Sequence, residues 1–286
     1  MIKMGFLALL FGLFSFQDRA LAKKNKVRER ELSSPIILLS IRPTHSGHED
    51  FNLCTGVFLD GQTILTAAHC RSSDHSKTKK KKSKETLYIS AQTSLLSRDL
   101  EKRSFSTKEF SLHIHPEYKT IPIRNDLMII KLKNLQFHFS FPAPVLTSRE
   151  FLDWNRPYFF KGFGGRRHLS GRLYHQKRLV MLSLDEEEVQ KLKDLPDPWP
   201  SRYRSRLYFK TIQEDEGMPV CKGDSGGPIY SQHHDGTLEV LAIASFMVIE
   251  DDNKNKQIEK RCATSKRSVH NWVYPHLGWI TSFLNE

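Results

Sequence analysis

Three residues, a serine among glycines, a histidine among small residues and an aspartate before an apolar segment, offer nucleophilic chemistry in this chain. The stretch Cys221-Lys222-Gly223-Asp224-Ser225-Gly226-Gly227-Pro228 sets a serine hydroxyl between glycines. A nucleophilic serine needs exposure, a nearby base and donors for a developing oxyanion. Glycines on both sides let the backbone turn tightly enough to aim amides at one point, and the amides of Gly223 and Ser225 are the natural pair. A histidine in Leu65-Thr66-Ala67-Ala68-His69-Cys70 stands at the end of an apolar segment among small residues. His69 is one of 13 histidines, and only its neighbours distinguish it. A carboxylate in Arg124-Asn125-Asp126-Leu127-Met128-Ile129-Ile130 stands at the mouth of another apolar segment. Partial desolvation there costs free energy unless the carboxylate is paired, and a histidine partner would supply that pairing.

The elements that must position these residues read as strands. Ile36-Ile37-Leu38-Leu39, Gly56-Val57-Phe58-Leu59, Thr63-Ile64-Leu65-Thr66, Leu87-Tyr88-Ile89 and Leu127-Met128-Ile129-Ile130 are short, apolar and rich in β-branched residues. Asp60-Gly61 between two of them signals a hairpin. A second group follows at residues 157–160, 178–182, 207–210, 228–230 and 238–246. Two β-rich halves emerge with a junction near residues 139–148, and alternation alone leaves barrels and sandwiches both open. Ser183 with Glu186 reads as a capping box opening a helix that ends before Leu195-Pro196-Asp197-Pro198-Trp199-Pro200. A second helix is expected over residues 276–285.

The N-terminus reads as a secretory signal over residues 1–22. Lys3 supplies the basic region, Met4 to Phe16 an apolar run, and Ala20-Leu21-Ala22 a small-x-small cleavage site. The run is shorter than the roughly 20 residues of a membrane span, although an uncleaved anchor is the alternative. Export implies a secreted or periplasmic protein and makes the even cysteine set, Cys54, Cys70, Cys221 and Cys262, a disulfide candidate with three possible pairings. No cysteine–histidine cluster has metal-ligand spacing, so no metal and no cofactor are expected.

The formal charge is +12, and removing the signal takes away Lys3 and Arg19 against Asp18. The surface therefore favours acidic partners. The run of Lys77, Lys79, Lys80, Lys81, Lys82 and Lys84 reads either as a solvated loop or as a site for an acidic surface or polyanion. Aromatic interleaving and a recognition motif are missing, so specific nucleic-acid binding is not expected. A monomer acting on proteins or peptides is.

Taken together, Thr66-Ala67-Ala68-His69-Cys70, Asn125-Asp126-Leu127 and Gly223-Asp224-Ser225-Gly226-Gly227-Pro228 resemble, in this order, the motifs of the trypsin/chymotrypsin serine peptidases. The likeness runs from about Pro35 onward and includes His115-Pro116-Glu117-Tyr118, Gly162-Phe163-Gly164, Ala244-Ser245-Phe246 and Trp279-Ile280. It implies an all-β fold of two antiparallel six-stranded β-barrels, with the active site between them and a C-terminal helix. The domain would span 35–286, divided into 35–145 and 146–286, with 23–34 a basic segment or propeptide. The resemblance assigns His69, Asp126 and Ser225 as a catalytic triad, Gly223 and Ser225 as the oxyanion hole, and disulfides joining Cys54 to Cys70 and Cys221 to Cys262.

Two departures bear on specificity and activation. The pocket-base position is Pro219, where trypsin-like enzymes carry an aspartate, so a preference for Arg or Lys is not expected. Met247 and Ser268 fall on the pocket walls, which suggests a shallow apolar pocket for small or medium side chains. Ser245 lies near the aspartate, and Lys222 borders the site, where it would favour acidic residues in the substrate. The loop Glu214-Asp215-Glu216 reaches it only if rearranged. No Ile/Val-Val-Gly-Gly start precedes Pro35. Two substitutes stay open: Val27 after Lys26, or an internal partner for Asp224.

Overall fold

The computed structural model describes residues 30–32, 34–43, 53–71, 84–91, 101–121, 123–133, 137–140, 142–148, 158–167, 173–175, 178–184, 206–211, 221, 223–247 and 267–284. The signal segment, most of the lysine run, the loop at 214–216, and Pro219, Lys222 and Cys262 lie outside the described residues.

In the N-terminal half the strands are β1 (Arg30–Leu32), β2 (Ile36–Pro43), β3 (Cys54–Phe58), β4 (Thr63–Thr66), β5 (Glu85–Ala91), β6 (Glu101–Ser106) and β7 (Phe110–Ile114). They continue with β8 (Lys119–Thr120), β9 (Ile123–Arg124), β10 (Met128–Leu132) and β11 (Phe137–Phe139). One sheet runs β6-β5-β2-β3-β4-β10-β7. Its two edge strands are consecutive in the chain, joined only by the turn at 107–109, where Glu109 N–H donates to the Ser106 carbonyl at 2.9 Å. Counted as one bent strand, β6 and β7 make this a six-membered barrel closed through the chain itself.

The C-terminal half holds β12 (Val145–Leu146), β13 (Tyr158–Gly162), β14 (Gly165–Arg167), β15 (Leu173–His175), β16 (Arg178–Leu184), β17 (Arg206–Thr211), β18 (Pro228–Gln232), β19 (Leu238–Met247) and β20 (Arg267–Trp272). Their order is β12-β19-β18-β13-β16-β17-β20, and an added β19–β20 pairing closes six of them into a ring. Closure removes the exposed edges that an open sheet would present. The expected two barrels are thus what these pairings build.

Burial explains why these segments are strands. In β5 the inward positions Leu87, Ile89 and Ala91 are buried while Tyr88 between them is exposed, the period-2 pattern of a sheet facing a core on one side. Thr63 to Thr66 and most of β10 are buried throughout, which is why they read as continuous apolar runs. Phe58, Ile64, Leu65 and Ile130 in one barrel, and Phe160, Ile229, Val240 and Ile243 in the other, are fully enclosed. Each such side chain stabilises the fold by roughly 1.5–3 kcal/mol through removal from water.

One expected boundary is corrected: Ser183 and Leu184 are the last residues of β16, paired with Lys210 and Phe209 of β17, so Ser183 does not open the helix, and the helix expected beyond them lies outside the described residues. A capping signature is local, and the cross-strand pairing of a closed barrel outweighs it. The second helix starts later than expected and is shorter. A 3₁₀ turn at Tyr274–His276 leads into an α-helix at Leu277–Thr281. Lys131 Nζ donates to the Phe283 carbonyl at 2.6 Å, placing a cation at the helix's negative end and tying it to β10. Leu32 of β1 is buried in the core, and β1 pairs in parallel with β11 in a separate two-stranded sheet, so the chain just before Pro35 is packed into the fold.

Candidate active site

His69 is delivered by the β3–β4 hairpin. Asp60 shapes its turn: Oδ1 accepts the N–H groups of Gln62 and Thr63 at 2.7 and 2.6 Å, and Oδ2 accepts the Thr63 hydroxyl at 2.9 Å. Beyond β4 the buried Ala67 and Ala68 lead into a 3₁₀ turn, Ala68–Cys70, and a disulfide between Cys54 and Cys70 clips the end of this turn to the start of the hairpin. The His69 side chain remains 31% exposed.

Asp126 is fully buried. Asn125 before it takes φ 47°, a left-handed conformation that asparagine tolerates better than most residues, and its side-chain amide donates to the Glu117 carbonyl at 3.2 Å. The carboxylate is surrounded by donors. Oδ1 accepts the His69 main-chain N–H at 2.9 Å, Oδ2 meets His69 Nδ1 at 2.6 Å, and Oδ2 also accepts the Ser245 hydroxyl. Burial alone pushes the Asp126 carboxyl upward, but the hydrogen bonds and charge of His69, with Ser245, outweigh it and hold it below the usual aspartate value. An ionised carboxylate only accepts, so Nδ1 carries a proton toward Asp126, and whenever the imidazole is neutral its lone pair is on Nε2. Burial first, and then the Asp126 charge, push the Tyr118 phenol up to about 12, so it stays neutral beside this pair.

Ser225 comes from the other barrel and is stitched to both. Its carbonyl accepts Thr55 N–H of β3 at 2.7 Å and lies 3.7 Å from Cys70 Sγ. Gly226 N–H donates to the Ala244 carbonyl at 2.7 Å, and Ala244 N–H to the Gly227 carbonyl at 2.8 Å, which fastens the loop to β19. Gly226 has φ 82°, and a Cβ there would collide with Thr66 Oγ1 and the Thr55 carbonyl, so only glycine lets the loop carrying Ser225 approach the hairpin this closely. Among the described residues no hydrogen bond joins Ser225 Oγ to the His69 ring, a contact that in free enzymes often tightens only with substrate.

Asp224 is also fully buried, and its carboxylate accepts Gly164 N–H at 2.6 Å and Cys221 N–H at 2.9 Å. A Cβ at Gly162 or Gly164 would occupy the space of that carboxylate, which accounts for the Gly162-Phe163-Gly164 pattern. The chain therefore does give Asp224 internal donors.

Of the residues expected around a substrate pocket, Ser245 turns inward to Asp126. Ser268 is buried and hydrogen-bonded at 2.7 Å to His270 Nε2, and it pairs across the sheet with Met247. Burial pushes His270 down to about 3, keeping it neutral. Cys221 is disulfide-bonded; its expected partner lies outside the described residues. The one grouping of potential metal ligands among the described residues, Cys54, His69 and Cys70, has both sulfurs committed to the disulfide and so offers no thiolate.

Two positioning groups have no counterpart in the sequence-based expectations. Asn271 pairs with the main chain of Asp126, and the Thr55 hydroxyl meets Gly223 and Phe163. Neither stands in a recognisable motif, and each acts across more than a hundred residues of chain.

Comparison with known proteins places this architecture. The trypsin family model matches residues 39–273. Mouse ovochymase-2 is 24% identical over 240 residues, covering 79% of this chain and 37% of that protein. Mouse kallikrein-11 is 25% identical over 182 residues, covering 62% and 59%, and rat trypsin-4 is 24% identical over 228 residues, covering 79% and 78%. The chain thus spans less than two thirds of ovochymase-2 and of kallikrein-11. With a family match over most of its length, and with both barrels in place, the chain belongs to the trypsin family of serine peptidases.

Proposed function

We propose that this protein is a secreted serine endopeptidase that cleaves peptide bonds through an acyl-enzyme on Ser225. The observation that carries the reading is the half-exposed His69 ring, held through Nδ1 by a buried, ionised Asp126, beside the loop that presents Ser225.

The chemistry follows from that arrangement. His69 Nε2 removes the Ser225 proton as Oγ bonds to the substrate carbonyl carbon, and the amides of Gly223 and Ser225 receive the oxyanion. The imidazolium returns its proton to the leaving amine as the peptide bond breaks. Water, deprotonated by His69, then attacks the acyl-enzyme, and the proton goes back to Ser225. Asp126 stabilises the imidazolium without itself taking the proton.

The primary pocket is not built for Arg or Lys. Pro219 brings no charge to the pocket base, and the buried Ser268–His270 pair is neutral. Small or medium apolar side chains fit this reading. Export is read from the signal at residues 1–22, and a peptidase domain over 35–286, divided into 35–145 and 146–286, is supported by the pairing of Leu146 with Val240 of β19.

Labelling the processed protein with a fluorophosphonate tests the chemistry. Stoichiometric modification that is lost in both Ser225→Ala and His69→Ala is expected. A processed, folded protein that does not label at Ser225 would overturn the reading, and cleavage of a peptide library predominantly after Arg or Lys would overturn the pocket assignment.

A further inference from the structure

The Thr55 side chain stands where the first barrel meets the nucleophile loop. It is fully buried, and its hydroxyl is used twice: Oγ1 donates to the Gly223 carbonyl at 2.8 Å and accepts Phe163 N–H at 3.0 Å. A hydroxyl has one proton and Phe163 N–H can only donate, so the proton must go to Gly223. The Thr55 main chain adds two further ties, its N–H to the Ser225 carbonyl at 2.7 Å and its carbonyl to Thr66 Oγ1 at 2.7 Å. Residue 55 thereby joins the hairpin that carries His69, the strand end that carries Gly164, and the loop that carries Ser225.

Gly223 is the residue in this loop most in need of such an anchor. Its φ is 100°, and with no Cβ it rotates between conformations that point its N–H in different directions. Asp224 N–H is bound to the Cys221 carbonyl at 2.9 Å and the Asp224 carboxylate to Gly164 and Cys221, so the loop is held firmly just past Gly223. The carbonyl of Gly223 itself is held by Thr55. Fixing that carbonyl fixes the plane of the 223–224 peptide, so the Gly223 amide, one peptide plane back, can turn relative to it only by rotation about φ and ψ of Gly223.

We propose that Thr55 is a positioning residue for the oxyanion hole: its buried hydroxyl anchors the peptide that follows Gly223, and so restricts the rotation by which the Gly223 amide could turn away from the reacting carbonyl. This rests on the acyl-transfer reading above. Thr55 thereby adds a side-chain tie from β3 to a loop that Asp224 and Ala244 also hold. Thr55 touches no substrate, and its effect on rate is carried entirely by Gly223.

The test compares Thr55→Val, which keeps the shape and removes the hydroxyl, with Thr55→Ser, which keeps the hydroxyl. In Thr55→Val, kcat on a peptide substrate is expected to fall roughly 10- to 100-fold with KM within about twofold, and Thr55→Ser to restore it. Hydrogen exchange across 221–227 reads the loop without turnover: it should accelerate in Thr55→Val, return in Thr55→Ser, and leave β5 and β10 unchanged. An unaltered kcat, an unaltered loop exchange, or an acceleration spread evenly over both barrels would each overturn the proposal. If the wild-type protein neither labels nor hydrolyses while the local exchange effect appears, the positioning by Thr55 stands and the peptidase reading fails.

Discussion

Asn271 and Asp126, 145 residues apart in the chain, close a two-point hydrogen-bonded ring: Asp126 N–H donates to Asn271 Oδ1 and Asn271 Nδ2 donates to the Asp126 carbonyl, both at 3.1 Å. Asn271 is buried in β20 of the second barrel, whereas Asp126 precedes β10 of the first. One amide therefore satisfies both main-chain polar groups of the aspartate, as a neighbouring strand would, and sets the direction of its carboxylate from across the domain junction.

Replacing Asn271 by Leu should leave those two buried main-chain groups unpaired. We expect a loss of about 1–3 kcal/mol in stability and a slower reaction of Ser225 with a fluorophosphonate. Asn271→Asp keeps the acceptor for Asp126 N–H, loses the donor and adds a carboxylate near Asp126, so it should be worse than Leu at neutral pH and recover in part in acid. Urea unfolding together with labelling rates would check both variants; equal labelling by wild type and Asn271→Leu would exclude a role in orienting Asp126.

The Cys54–Cys70 bond closes a loop of sequence separation 16 around the His69 hairpin. For a loop of that length the chain-entropy argument gives about 3 kcal/mol. The double variant Cys54→Ser/Cys70→Ser should lower the unfolding free energy by about that amount. Because Cys70 adjoins His69, labelling of Ser225 should fall more steeply with temperature than in the wild type. Parallel thermal and activity-labelling curves for both proteins would reveal this.

Acid should destabilise the fold through buried histidines. Burial lowers His270 to about 3 and His276 to about 4, and it also lowers His115, whose Nε2 lies 3.1 Å from His276 Nδ1. Each folded-state value lies below the ordinary 6.5, so on acidification the unfolded chain takes up protons first. The contribution of the neutral imidazoles is fully present above about pH 6.5 and is lost as pH falls toward 4. For His276 alone the fall from 6.5 to about 4 corresponds to on the order of 3 kcal/mol. His276→Phe should flatten the stability profile over that interval, as measured by urea midpoints from pH 7.5 to 4; an unchanged slope would refute the assignment.

Much of this fold is legible in the residues because its central strands are enclosed on both faces. Thr63-Ile64-Leu65-Thr66 was recognisable as β4 from its apolar run, and Asp60-Gly61 marked the turn before it. The strand β20 was not recognisable, since Ser268, His270 and Asn271 are polar residues buried inside the barrel, where hydrogen bonds replace the expected apolar pattern. At Ser183 the local capping pattern set the boundary too early, because Ser183 and Leu184 are still paired with β17.

By itself, the sequence determined the residue types and local patterns: a serine among glycines, a histidine beside a cysteine, an aspartate before an apolar strand. Those arise from short-range chemistry and can be read in order along the chain. The family resemblance had already paired His69 with Asp126 and put Ser245 near it; only the tertiary structure supplied the hydrogen bonds that join them, and brought in Asn271 and Thr55 to hold Asp126 and the loop around Ser225. A hydrogen bond depends on separations of a few tenths of an ångström between segments more than a hundred residues apart, and such distances exist only once both barrels have closed.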